Sequence, residues 1–148
     1  MLYLELIGKH GETTIRSESR MTLQESGEMY LETILRLSEE RKIVRSIDVA
    51  QAMGFSKPSV SRAMKNLSEN GYLDIDHENG AITLLEPGLK VASTIYERHR
   101  YLQRFFEHLG VSEKTAAEDA CRIEHVISAE TFSVLKNRLD EMENQDRA

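Results

Sequence analysis

The stretch that decides the fold is Gly54-Phe-Ser-Lys-Pro-Ser-Val-Ser-Arg62, which lies between two segments with helical patterns. Ser46 is expected to cap a first helix over residues 47–53, and Gly54 follows where a left-handed backbone is favoured. Pro58 falls in the first turn of a second helix, where its missing N–H is not needed. Apolar residues in that helix predict one buried face: Val60, Ala63, Met64 and Leu67. Two short helices joined by so tight a turn predict a helix-turn-helix.

After Gly71, which is expected to end the second helix, the apolar spacing changes from the helical period to alternation. Asn79-Gly80 is a strong signal for the turn of a hairpin between two short strands. The alternating apolar residues of these strands are Leu73, Ile75, Ile82 and Leu84. A helix-turn-helix followed directly by a hairpin predicts a winged helix, here over residues 22–88.

Upstream of the turn, Thr22 and Glu25 have the spacing of a capping box, which predicts the start of another helix. Apolar residues at helical spacing extend that helix to about Leu37: Tyr30, Leu31, Ile34, Leu35 and Leu37. Residues 1–21 form an N-terminal extension without such a period. The sequence leaves two alternatives for this extension, a disordered arm or a translation start placed too far upstream.

The exposed side of the second predicted helix is basic within an acidic chain. The net charge of −6 argues against nonspecific coating of nucleic acid, which depends on Lys and Arg neutralising phosphates. The N-terminal end of such a helix, however, enters the major groove in helix-turn-helix proteins. The candidate DNA-binding residues on and before this helix are Ser56, Lys57, Ser59, Arg62 and Lys65. A merely solvated helix face is the alternative, and the surrounding turn and hairpin make it the weaker one.

Length and composition predict a globular protein of one domain or two small ones. The chain has 148 residues, of which 40% are hydrophobic and 30% are charged. Its one cysteine cannot form an internal disulfide, and no apolar stretch has the length of a membrane span. Together with the lack of a secretory signal pattern, these features predict a cytoplasmic protein.

Three further helices are expected over residues 89–148. The first would run from Leu89 to about Leu109, closed by Gly110, with a stripe typical of a coiled coil: Ala92, Ile95, His99, Leu102, Phe106 and Leu109. His99 is the polar exception in this stripe, either a hydrogen-bonded core histidine or a metal ligand. The last helix, capped by Ser128, has its own apolar stripe: Phe132, Leu135, Leu139 and Met142. Three helices cannot cover every stripe internally, so a homodimer is expected.

Cys121-Arg-Ile-Glu-His125 places three types of metal ligand within five residues. On a helix, positions i, i+3 and i+4 share one face, so the thiol, carboxylate and imidazole would converge. Such a donor set suits a divalent transition metal better than calcium or magnesium. These donors would lie half shielded beside a buried face of Ala116, Ala120, Ile123 and Ile127. The alternative is a buried cysteine beside an ordinary surface Glu–His pair.

Taken together, these features resemble the metal-dependent repressors that include the diphtheria toxin repressor and the manganese transport regulator. The resemblance covers Thr22 to about Met142 and rests on Glu28-Met-Tyr-Leu-Glu32, Ser56-Lys-Pro-Ser-Val-Ser61, Arg98-His99 and Ala120-Cys-Arg-Ile-Glu-His-Val126. It implies a mainly α fold, with a winged helix-turn-helix DNA-binding domain followed by an all-helical metal-binding and dimerisation domain. The implied metal ligands are Met29, Glu32, His99, Cys121, Glu124 and His125. The implied DNA-reading residues are Ser56, Pro58, Ser59 and Arg62.

The chain mixes two branches of this family. Met29 and Cys121 resemble the iron-type members, whereas Glu32 resembles the manganese-type members, which also lack an SH3-like third domain. Gln103 and Ala117 stand where iron-type members have ligands of an ancillary site. Thioether and thiolate donors move the expected preference away from manganese and toward softer ions. The expected cofactor is iron(II) or manganese(II), with zinc, cobalt or nickel binding in vitro.

The sequence therefore predicts a cytoplasmic, homodimeric, metal-activated repressor that binds a double-stranded DNA operator and controls iron or manganese homeostasis. It is not expected to be an enzyme. A hydrolase with Cys121 as nucleophile and His125 as base is one alternative, but i, i+4 spacing points these side chains in parallel. The other alternative is a metal-independent winged-helix regulator whose C-terminal helices serve only to dimerise.

Overall fold

The computed structural model describes residues 25–148, which form six helices and one two-stranded sheet. In chain order these are α1 (Glu25–Glu40), α2 (Ser46–Met53), α3 (Lys57–Glu69), β1 (Leu73–Ile75), β2 (Ile82–Leu84), α4 (Glu86–His108), α5 (Glu113–Ile123) and α6 (Ala129–Arg147). The predicted fold class, a winged helix-turn-helix followed by helices only, is confirmed. The predicted extension over residues 1–21 and the Thr22 cap lie outside the described residues.

The chain divides into two compact units, one ending at Thr94 and the other spanning residues 95–148. This division falls inside α4, so the predicted domain boundary after residue 88 stays a prediction. Among the helices of residues 25–148, none combines the length and the apolar character needed to cross a membrane.

The turn between α2 and α3 forms as the sequence predicts. Gly54 ends α2 with a φ of 68°, in the left-handed region where glycine is favoured. The Ser56 hydroxyl caps α3 by accepting the backbone N–H of Ser59 at 3.3 Å, and Pro58 lies in the first turn. Val60, Met64 and Leu67 are buried, while Ala63 is half-buried. This rigid turn fixes the direction in which α3 leaves α2.

The start of α2 differs from the prediction that Ser46 caps it. Ser46 is the first helical residue, and the cap is Arg45. The carboxylate of Asp48 accepts the backbone N–H of Arg45 at 2.8 Å and also pairs with the Arg41 guanidinium at 2.7 Å. An acidic residue in the first turn thus accepts a backbone N–H at the start of α2, where the sequence predicts a Ser46 cap.

The two strands form an antiparallel hairpin in which Leu73 faces Leu84 and Ile75 faces Ile82. Asp76 donates its N–H to the Ala81 carbonyl at 2.9 Å, so residues 77–80 form the connection. A further bond, from Ile82 N–H to the Val44 carbonyl at 2.8 Å, ties β2 to the segment after α1. The hairpin is therefore anchored to the helical part of its own unit.

Helix α4 begins at Glu86, earlier than expected, so Pro87 and Gly88 lie in its first turn. Pro is tolerated there, and Gly88 is required by packing, because a Cβ at this position would lie 2.0 Å from the Tyr72 carbonyl oxygen. At the other end the predicted stripe is wrong at Leu109, because α4 ends at His108 and Leu109 is 60% exposed, whereas Ala92, Ile95, His99 and Leu102 are buried as expected.

In the second unit, serine side chains cap both remaining helices. Ser112 accepts the Thr115 N–H at 3.4 Å at the start of α5, and Ser128 accepts the Thr131 N–H at 3.1 Å at the start of α6. Leu139 of α6 is fully buried, whereas the rest of its predicted stripe is half-buried: Phe132, Leu135 and Met142.

Candidate functional site

The segment from Cys121 to His125 is not a single helix as predicted, because α5 ends at Ile123. Glu124 keeps a helical backbone and donates its N–H to the Ala120 carbonyl at 2.9 Å. His125 lies in the following turn, residues 124–127. Cys121 and Glu124 therefore keep the i, i+3 spacing of a helix. The position of His125 is set by the turn and not by the helix.

The donors are more deeply buried than the half-shielded position that the sequence suggests. Cys121 is 4% exposed and Glu124 is 0% exposed. Ile123 and Ile127, expected on the buried face, are only half-buried. A carboxylate removed so completely from water needs a compensating charge or strong hydrogen bonds.

Two imidazoles supply that compensation. His99 Nδ1 of α4 lies 2.8 Å from Glu124 Oε2, and His125 Nε2 lies 3.1 Å from Glu124 Oε1. Burial acts to raise the pKa of Glu124, but its hydrogen bonds with His125 and His99 outweigh burial and lower that pKa below its usual value. Glu124 is therefore an ionised carboxylate held between two imidazoles. His99 is a core histidine whose hydrogen bond is satisfied, and it also lies at the candidate site.

This arrangement fits a divalent transition metal. The ligand atoms of Glu124 and His125 lie within 4.8 Å of one another, and the His99 imidazole contacts the same carboxylate. Cys121 adds a buried sulfur one helical turn before Glu124. Imidazole, carboxylate and thiolate together are typical ligands of iron, zinc, cobalt or nickel. The buried thiol is also poorly placed to attack a substrate from solvent, which weakens the hydrolase alternative.

Met29 and Glu32, the other two predicted ligands, lie one turn apart on α1 in the first unit. Met29 is half-buried and Glu32 is fully buried. At the two positions compared with an ancillary site, the Gln103 amide donates to Glu107 Oε1 at 2.8 Å, and Ala117 is buried. The methyl side chain of Ala117 offers no donor atom to a metal.

The predicted DNA-binding residues run from Ser56, just before α3, to Lys65 in the second half of that helix. Those with exposed side chains are Ser56, Lys57, Pro58, Arg62 and Lys65. Ser59 is half-buried, and its hydroxyl accepts a hydrogen bond from Ser56 at 2.8 Å. Lys65 reaches Glu69 at 3.9 Å in an exposed pair, which constrains it little. The outer side of α3 thus presents a basic, polar surface.

Sequence reasoning missed one residue beside the metal-ligand cluster. Arg98 of α4 donates from Nη1 to the carbonyl oxygens of Glu124 at 3.2 Å and Ile127 at 3.4 Å. The only signal in the sequence is its place next to His99, because more than twenty residues separate Arg98 from the turn that it contacts.

Comparison with known proteins identifies two matching family domains. Residues 22–81 match the domain described as iron dependent repressor, N-terminal DNA binding domain, and residues 85–147 match the iron dependent repressor, metal binding and dimerisation domain. The chain is 34% identical over 116 residues to a helix-turn-helix transcriptional regulator of Methanocaldococcus jannaschii, covering 77% of this chain and 92% of that one. It is also 34% identical over 107 residues to the transcriptional regulator MntR of Escherichia coli, covering 72% of this chain and 68% of MntR.

Among solved structures, the manganese regulator SloR matches with a TM-score of 0.63 and 30% identity. The match covers 84% of this chain and 55% of SloR, so this chain spans about half of that protein. The matched family consists of transcriptional regulators and not of enzymes. The two matching family domains follow one another along the chain, the first over the winged helix and the second over the C-terminal helices. This chain therefore belongs to the iron-dependent repressor family.

Proposed function

We propose that this protein is a cytoplasmic, homodimeric repressor that binds its DNA operator when a divalent metal ion is bound. The observation that carries this proposal is the buried Glu124 carboxylate between the imidazoles of His99 and His125. Such a cluster beside a buried thiol is costly to maintain for stability alone, and it offers nitrogen, oxygen and sulfur donors to one ion.

The proposed ligands are Met29, Glu32, His99, Cys121, Glu124 and His125. Full burial of the Glu32 carboxylate supports its inclusion, since a buried negative charge is stabilised by a bound cation. Met29 precedes it by one turn on the same side of α1. When bound, the metal would supply positive charge and directional bonds that hold these side chains together.

We propose iron(II) or manganese(II) as the physiological ion, with zinc, cobalt or nickel binding in vitro. The sulfur donors favour the softer ions of this set, whereas SloR is described as a manganese regulator. Because Ala117 has no donor atom and the Gln103 amide is hydrogen-bonded to Glu107, we propose one ion in each protomer.

The metal is proposed to act by shifting a conformational population. Ligands from α1 and from the C-terminal helices, once joined through one ion, would favour one spacing of the two α3 helices in the dimer. Two recognition helices at that spacing can read two half-sites of an operator. A coupling free energy of ~1–3 kcal/mol would change operator affinity by up to about a hundredfold.

A titration tests this function directly. Metal-free protein would be titrated with iron(II), manganese(II) and zinc(II) while its binding to random-sequence DNA pools and the number of bound ions are measured. We expect enrichment of one DNA sequence only with metal, at one ion per protomer. Equal binding of that sequence by metal-free and metal-loaded protein would support the metal-independent regulator instead.

Arg62→Ala should weaken specific DNA binding by ~1–3 kcal/mol, because an exposed arginine at the N-terminal half of α3 can make a bidentate contact to a base. Metal affinity of the DNA-free protein should stay unchanged. Affinities for operator and scrambled DNA, measured side by side with Lys65→Ala as the matched variant on the same face, check this. Equal loss on both DNAs would show that Arg62 contacts only phosphate.

Replacing Met29 with Asp and Cys121 with Glu should shift the metal response toward manganese. Carboxylate oxygens suit manganese, whereas thioether and thiolate suit softer ions. Operator affinity at fixed free manganese, iron(II) or cobalt, in both proteins, measures the ranking. Cys121→Ser with Met29→Leu is the control that removes sulfur without adding carboxylates. An unchanged ranking would show that the two sulfur residues only pack.

A further inference from the structure

The backbone of the turn that carries Glu124 and His125 is hydrogen-bonded by the side chain of Arg98 on α4. Arg98 Nη1 donates to the Glu124 carbonyl at 3.2 Å and to the Ile127 carbonyl at 3.4 Å. These two carbonyls bracket the turn of residues 124–127, whose own hydrogen bonds run from Val126 and Ile127 N–H to the Ile123 carbonyl at 3.0 and 2.9 Å. Carbonyls at a helix C-terminus lack partners within the helix, and a cation there is favourable.

Arg98 is itself fixed in place. Its guanidinium carbon lies 5.8 Å from the centroid of the Phe132 ring on α6. The Phe132 and Tyr101 rings are nearly perpendicular, with their centroids 6.0 Å apart. Within residues 25–148, the buried Nε of Arg98 has no hydrogen-bond acceptor. Burying this N–H without an acceptor costs free energy. The two hydrogen bonds from Nη1 help to offset that cost and keep the side chain in this position.

We infer that Arg98 is a positioning residue for the metal site: it holds the 124–127 turn in the conformation that brings Glu124 to the His99 imidazole and His125 to Glu124. This inference rests on the proposed metal function. Without the guanidinium, the backbone of the turn after α5 loses both of its bonds from Arg98, and the turn stays tied to α4 through the contact of the Glu124 side chain with His99. Groups that orient metal ligands in this way typically change metal affinity by about 10–100-fold.

The test compares Arg98→Met with Arg104→Met. Both substitutions remove an arginine from α4 that stacks on an aromatic ring, and Arg104 instead pairs with Glu143 of α6, without contact to the turn. Two measurements are made on the whole protein: affinity for zinc(II) by direct titration, and hydrogen exchange of the Val126 and Ile127 amides in the metal-free protein.

Arg98→Met is expected to weaken zinc binding by about tenfold or more and to speed exchange of the two amides, while Arg104→Met changes neither. Arg98→Lys, which keeps one charged donor, should recover part of both losses. Zinc affinity of Arg98→Met within about twofold of the parent would overturn the inference, as would equal effects of both methionine variants. Failure of the parent protein to bind zinc, iron(II) and manganese(II), or binding that His125→Ala leaves intact, would instead overturn the proposed metal function.

Discussion

Glu124→Gln should lower metal affinity by at least about a hundredfold, above the range seen when only an orienting partner is lost. The amide keeps the volume of the side chain but removes the negative charge that both imidazoles face. Metal-dependent operator binding should disappear with it. Metal titration and operator binding at fixed free metal measure the two effects.

This substitution also tests the metal-free protein. Loss of charge-assisted hydrogen bonds to His99 and His125 should lower the free energy of unfolding by roughly 1–3 kcal/mol. The loss follows from the full burial of Glu124, because an exposed carboxylate would cost little stability when its charge is removed. Glu118→Gln, on α5 and half-exposed, is the matched control. A metal response in Glu124→Gln equal to that of the control would remove Glu124 from the ligand set.

Gly88→Ala should reduce the free energy of unfolding by about 3 kcal/mol, a large effect for one methyl group. The added Cβ would lie 2.0 Å from the Tyr72 carbonyl oxygen, 2.9 Å from its carbon and 3.4 Å from Leu31 Cδ2. Backbone atoms cannot swing aside as a flexible side chain can, and the same carbonyl accepts the Leu85 N–H at 3.0 Å. Chemical denaturation of the metal-free protein measures the loss.

Gly80→Ala is the control for this clash. Gly80 has a φ of 72° and no atom within 4 Å of an added Cβ, so alanine there should cost only about 1 kcal/mol of backbone strain. If both variants lose the same free energy of unfolding, the close approach of Gly88 to Tyr72 is not the reason that glycine is needed at this position.

The winged helix could be predicted because a few of its residues have narrow conformational demands. Gly54 suits a left-handed helix end, Pro58 suits a first helical turn, and Asn79-Gly80 suits a hairpin connection. Each requirement is local, so it is visible in the order of residues along the chain. The closeness of Cys121 to Glu124, two candidate ligands, could be predicted for the same reason, from their spacing at the end of α5.

Features set by distant contacts could not be predicted. Periodicity continued the long helical stripe to Leu109, although the chain leaves the helix before it. Ser46 is a favourable cap by residue type, but Asp48, which also pairs with Arg41, supplies the acceptor for the start of α2. The depth of Glu124 and the role of Arg98 depend on which helices pack around the 124–127 turn.

Burial of the proposed ligands has a consequence for the rate of metal binding. Because His99, Cys121 and Glu124 are each less than 5% exposed, an ion bound by them would enter and leave while the protein opens locally. The rate of that opening, and not diffusion of the ion, would then limit how fast the repressor gains and loses its ion. Brief fluctuations in metal concentration would pass without a change in gene expression, and the protein would respond to the average over many opening events.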